Sequence, residues 1–157
     1  MNFKKRIILT VILLMIISLL IGCSNDITNS IYDNNAKIAK SYDSFGLDDS
    51  KETIESGVYT GKLKLSGCGT IWRYESDSDF NLEAPCKLSV KSGKAKIVLI
   101  SPDDTVTNLV EISNKDTTDE NTTLTLPIKK GINRIKIVGY DKADINIELN
   151  ITKGDFQ

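Results

Sequence analysis

Histidine is absent from the 157 residues of this chain, and that absence limits what its other reactive side chains can do. Without it there is no Ser-His-Asp or Cys-His nucleophile and no imidazole ligand for zinc. The glycine cluster Gly67-Cys68-Gly69 lacks the lysine and hydroxyl residue of a phosphate-cradling loop. Carboxylate chemistry survives, because glycoside hydrolysis needs only two acids flanking the bond. Glu75, Asp77, Asp79 and Glu83 crowd the stretch Y-E-S-D-S-D-F-N-L-E. Spacing alone does not set two acids across a substrate, and a solvated acidic loop is the simpler account. Asp77, Asp79 and Asn81 also follow the D-x-D-x-N spacing that opens calcium loops. Leu82 stands where such a loop needs glycine, and Leu88 where it needs a bidentate glutamate. That excludes an EF-hand and leaves only a looser calcium site built with backbone carbonyls. No cofactor is implied.

Trp72 and Tyr74 are two apart in T-I-W-R-Y, so on a strand both point to one face. On an open face they would form a platform for stacking a sugar ring. On an inner face they are core, which suits a chain with a single tryptophan and 6% aromatic residues. Cys68 and Cys86 lie eighteen apart. Outside the cytoplasm a bridge between them would persist, and closing that loop would add about 3 kcal/mol. The alternative is two small buried thiols on neighbouring strands.

From Gly57 onward, short runs alternate apolar and polar residues between turn residues. Gly61–Leu65, Thr70–Tyr74, Cys86–Val90, Lys94–Ile100, Val106–Ile112, Thr122–Leu126, Ile135–Val138 and Ile145–Ile151 read as about eight short strands. Ser92-Gly93, Ser101-Pro102-Asp103-Asp104 and Lys130-Gly131 read as turns. With no helical period between them, these strands indicate an all-β antiparallel sandwich, jelly-roll-like, with an immunoglobulin-like order as the alternative. The expected inward set is Leu63, Leu65, Leu88, Val90, Ile97, Leu99, Leu124, Leu126, Ile135, Ile137, Ile145, Ile147 and Leu149. Asp144, Asn146, Glu148 and Asn150 should face water.

The start of the chain carries a different signal. Lys4, Lys5 and Arg6 precede an apolar run from Ile7 to Ile21, short for a spanning helix, as in a secretory signal. Leu20-Ile21-Gly22-Cys23 then resembles the lipobox of bacterial lipoproteins. The resemblance implies diacylglycerol on the Cys23 thiol, cleavage between Gly22 and Cys23, and anchoring by acyl chains at the outer face of the cytoplasmic membrane. Loss of the three basic residues takes the net charge from −1 to −4, which gives no electrostatic footprint for nucleic acid. The expected organisation is a signal peptide over 1–22, a lipidated N-terminus and flexible tether over 23–56, and a β-sandwich domain over 57–153. As a coil that tether would span about 30 Å.

The ending G-I-N-R-I-K-I-V-G-Y, followed by D-I-N-I-E-L, resembles the closing hairpin of small sandwich domains in lipoproteins of Gram-positive bacteria. Some sandwiches of that shape bind carbohydrate, but no motif here transfers a ligand site, so the resemblance implies the fold and leaves the activity open. The leading reading is a non-catalytic binding or interaction module for an envelope carbohydrate or an envelope protein. A small carboxylate-dependent glycoside hydrolase and an accessory subunit of an envelope complex are the competing readings.

Overall fold

The computed structural model describes residues 24–114 and 121–157. The lipobox with Gly22 and Cys23 therefore lies outside the described residues. Among these residues two short helices, α1 (Ser24–Asn29) and α2 (Asn35–Ile38), precede the strands. Seven strands follow: β1 (Ser44–Glu55), β2 (Val58–Ser76), β3 (Phe80–Ile100), β4 (Val106–Ser113), β5 (Asn121–Ile128), β6 (Gly131–Asn150) and β7 (Asp155–Phe156). Every pairing is antiparallel. The order is β1-β2-β6-β3-β4, with β5 beside the first half of β3 and β7 beside the end of β2.

The class is the all-β antiparallel sandwich that the alternation predicts, but its strands are longer than expected. β2, β3 and β6 run through both layers and bend at one common level. There the β2 register slips between Leu65 and Gly67, and the β3 register slips between Val90 and Lys94. Ser92-Gly93, expected as a hairpin turn, is such a bend. Gly93 takes φ +73°, and a Cβ there would collide with the Tyr140 carbonyl. The chain changes face without reversing direction. On β6 the bend falls at Asp141 and Lys142, both with positive φ. Their amides donate to side chains, Asp141 to Asn29 Oδ1 at 2.9 Å and Lys142 to Ser66 Oγ at 2.8 Å. Elsewhere the turn chemistry holds: Asp104 N–H closes on the Ser101 carbonyl, and Asp103 Oδ1 accepts from Thr105 N–H.

Folding each long strand over on itself stacks its two halves. Every residue of the expected inward set is buried, in one cluster between the layers. Glu148 and Asn150 are exposed on the far side of the first layer, with Asp144 and Asn146 half-buried beside them. The second layer is covered on both faces, which explains the unbroken apolar run Ile97-Val98-Leu99-Ile100. Ile97 and Leu99 enter the main core. Val98 and Ile100 join Cys68 and Val138 beneath Ile31, Tyr32, Ile38 and Ala39.

That second cluster corrects the expectation of a flexible tether. The polar composition of 23–56 hides four residues that cover the second layer and a twelve-residue strand that extends the sheet. Two cations hold the cover down. Lys136 Nζ donates to the carbonyls of Lys40 (2.8 Å) and Tyr42 (3.0 Å). Arg134 donates to the carbonyls of Ala39 (2.8 Å) and Lys40 (3.0 Å), and its guanidinium pairs with Asp104 at 3.1 Å.

Candidate ligand-binding cleft

β1 brings to the sandwich a row of side chains that alternation aims inward at the edge. Phe45 lies opposite Gly67, Leu47 opposite Leu65 and Glu52 opposite Gly61. The register slips between Leu47 and Asp49, so Leu47 and Glu52, five apart, share one face. Nothing covers that face well: β1 is exposed almost throughout, and Phe45 is 47% exposed. The Phe45 ring lies over Gly69, where its edge carbons come within 3.7 Å of the place a Cβ would occupy.

A cleft of about 140 Å³ results. Its floor is core: Tyr59, Leu63, Leu65, Ile71 and Ile137. Phe45 and Leu47 form a wall, and Asp43, Glu52 and Thr70 supply the polar atoms. Glu52 Oε2 accepts from the Tyr59 hydroxyl at 2.7 Å. Burial, then the Glu52 carboxylate, push the Tyr59 phenol far above its ordinary value, so it stays a donor. Asp43 Oδ1 accepts from the Thr70 amide (3.0 Å) and hydroxyl (2.7 Å) and pairs with Lys136 at 3.1 Å. Burial works to raise the Asp43 carboxyl, but the bonds from Thr70 and Lys136 and the lysine charge outweigh it. The carboxyl is held below the ordinary range. An apolar floor, a half-exposed ring and a few fixed polar groups are the ingredients of a small-molecule site. This cleft is smaller than the usual 300–1,000 Å³, so it suits a single ring.

A second, shallow depression of about 250 Å³ crosses the outer face of the first layer. It is lined by Thr60, Lys62, Ser89 and Asn146, and by Lys87 and Glu148, which pair at 3.1 Å. It carries no aromatic ring.

The residues singled out from the sequence lie elsewhere. Trp72 is 0% exposed and donates its indole N–H to the Lys153 carbonyl at 2.8 Å. A register slip between Thr70 and Trp72 turns both Ile71 and Trp72 into the core. Tyr74 is half-buried, its ring 5.8 Å from Trp72 and 6.3 Å from Phe80. The pair is a core cluster, not a stacking platform. Cys68 and Cys86 are both free and buried. Cys68 pairs with Val138 on one side of the bend and Cys86 with Leu149 on the other, and the two thiols enter different clusters. A bridge needs Cα atoms within about 7 Å, which two positions so far apart along β6 do not offer. Burial pushes the Cys86 thiol up to about 12 and raises that of Cys68.

The acidic stretch is taken apart by the β2–β3 turn. Asp79 binds Lys129 Nζ (2.9 Å) and Lys130 N–H (2.8 Å), clamping the β5–β6 turn. Those bonds lower its pKa, the opposite of what a general acid needs. Glu83 accepts from Thr125 across the sheet at 3.0 Å. Glu75 lines a different depression from Asp79, and Asp77 and Asn81 are exposed. Among the described residues no three acids or thiols gather as a metal site. The weak calcium candidates are thereby separated in role: Asp79 is occupied by lysine contacts.

Asp43, Phe45, Leu47 and Glu52 went unseen in the sequence because their surroundings read as tether. One local signal marked them: Phe45-Gly46-Leu47 alternates, and Thr53-Ile54 continues the β-branched pattern.

No protein-family model matches the chain, and no curated sequence matches it. Solved structures similar to it include a variant of a family 29 carbohydrate-binding module complexed with mannohexaose. It has a TM-score of 0.42 and 15% identity and covers 71% of this chain and 84% of that one. A second variant of a family 29 module has a TM-score of 0.42 and 17% identity, with coverage of 69% and 77%. A CBM4 structure has a TM-score of 0.40 and 10% identity, with coverage of 74% and 81%. These describe what the chain is similar to in its course, and its binding chemistry rests on its own residues.

Proposed function

We propose that this protein is a non-catalytic carbohydrate-binding module held at the outer face of the cytoplasmic membrane by lipid on Cys23. The observation that carries the binding reading is the β1 cleft. A half-exposed Phe45 ring stands beside carboxylate and hydroxyl groups already fixed by Tyr59, Thr70 and Lys136. A pyranose ring offers an apolar C–H face to an aromatic side chain and hydroxyls to acceptors at its edge, which matches this lining. Pre-ordered acceptors lower the cost of fixing them on binding. The lipid reading rests on the order of basic start, apolar run and L-I-G-C in the sequence.

A glycan array spanning neutral, N-acetylated, free-amine and acidic saccharides tests the binding reading directly. Binding is expected without accumulation of hydrolysis products. Phe45→Ala should weaken it about tenfold or more, an energy of about 1.4 kcal/mol. A silent array, or full affinity in Phe45→Ala, rejects the reading. For the anchor, Cys23→Ser should abolish incorporation of a labelled fatty acid.

A further inference from the structure

We infer that the saccharide bound in the β1 cleft carries a free, protonated amine. The inference rests on the carbohydrate reading of that cleft and adds the charge of its ligand. The lining holds two carboxylates and no lysine or arginine side chain. Asp43 is neutralised by Lys136 at 3.1 Å. Glu52 is in none of the ion pairs among the described residues, and its one hydrogen-bond donor is the neutral Tyr59 hydroxyl. The neighbouring cations are kept away by alternation. Lys51 precedes Glu52 and lies opposite Lys62, and both belong to the outer face of the first layer. The inner face of the edge therefore presents one uncompensated carboxylate in a cleft that an aromatic ring also lines.

That pairing has a specific complement. An ammonium group gains from the Glu52 carboxylate both by charge and by a charge-assisted hydrogen bond. A hydroxyl gains only the hydrogen bond. A carboxylated sugar would meet Glu52 as a like charge. An N-acetyl group would bring neither charge nor room in a cleft of about 140 Å³. A free-amine hexosamine, with the amine on the ring edge and an apolar C–H face, supplies a charge for Glu52 and an apolar face for the rest of the lining.

The test is calorimetric titration of the full chain with three matched β-1,4-linked oligosaccharides: glucosamine, N-acetylglucosamine and glucose. They differ only at carbon 2. The free-amine oligomer should bind at least tenfold more tightly than the other two. Glu52→Gln, which keeps an acceptor for Tyr59, should erase the preference while leaving binding of the glucose oligomer in place. Glu148→Gln, an acid of the outer face, should leave the preference intact and so separates a site from general attraction to an acidic protein. Equal or tighter binding of the acetylated or neutral oligomer overturns the amine inference and leaves the carbohydrate reading standing. A preference that survives Glu52→Gln overturns it too. No binding to any of the three overturns it, and a silent glycan array overturns the carbohydrate reading with it.

Discussion

Trp72 shows how one residue's environment is set by a slip of one position. In a regular strand Ile71 and Trp72 would face opposite ways. The irregularity between Thr70 and Trp72 turns both inward, and the indole N–H finds the Lys153 carbonyl in the chain after β6. With one tryptophan in the chain, its fluorescence has a single source. Emission should be blue-shifted and resist acrylamide quenching; red-shifted, easily quenched emission would contradict its place in the core. The two thiols give a second residue-scale expectation. Cys68 and Cys86 are buried with raised pKa values, and the thiolate is the reactive form. Peptide mapping should find both unmodified by an alkylating reagent in the native protein and both modified after unfolding. A Cys68–Cys86 cross-linked peptide would refute the assignment.

At the scale of elements, the bends in β2, β3 and β6 do the work that hairpins were expected to do. Ser92-Gly93 carries the composition of a turn, and composition does not tell a reversal from a bend. The difference lies in the partner strand: β6 bends beside β3, so both can continue. Close approach at the bend is unforgiving. A Cβ at Gly139 would lie 2.5 Å from the Leu65 carbonyl oxygen and 3.2 Å from its Cβ. Gly139→Ala should therefore destabilise the protein by about 2 kcal/mol or more, read as a lowered denaturant midpoint. A midpoint within error of the parent would show that the strands can part there freely. β1 is the element the sequence hid most completely. Its charged residues and its register slip are also what blunts an exposed edge against unwanted pairing.

For the molecule as a whole, the segment from Ile31 to Asp43 is part of the folded body. If Cys23 bears lipid, as proposed, the packed structure begins within the next six residues, with α1, whose Asn29 accepts from the Asp141 amide, and the domain sits near the membrane without a 30 Å stalk. The segment's attachment is electrostatic as well as apolar. Lys136, 0% exposed, meets the Lys40 and Tyr42 carbonyls and Asp43. Lys136→Met would take the donor from the Tyr42 carbonyl and the ion-pair partner from Asp43, and leave the Lys40 carbonyl to Arg134 alone, at a cost of about 2 kcal/mol. Hydrogen exchange should rise over 31–43 and in β1 before it rises in β3 or β6; unchanged protection would deny the clasp. pH acts through Asp43, whose folded pKa is depressed. Its contribution is complete above the unfolded value of about 3.9 and is lost as pH falls through the lower folded value. Protection of the same segment should fall on acidification below that range. Protection falling first toward alkaline pH would contradict the sign.

The sequence by itself determined the class of the fold and the inner face of β3, β5, β6 and the first half of β2, because period-two alternation is local and each of these strands carries its own record of it. What covers the run Ile97–Ile100, and what makes a cleft of the sheet's edge, only the tertiary structure decided. Arg134 and Lys136 alternate with Ile135 and Ile137 as solvent-facing cations would, yet they are buried, because their partners come from residues more than ninety positions earlier. Phe45 and Glu52 look like tether until β2 lays Gly69, Gly61 and Tyr59 beside them. Burial and charge compensation are properties of contacts between distant segments, and no local pattern encodes them.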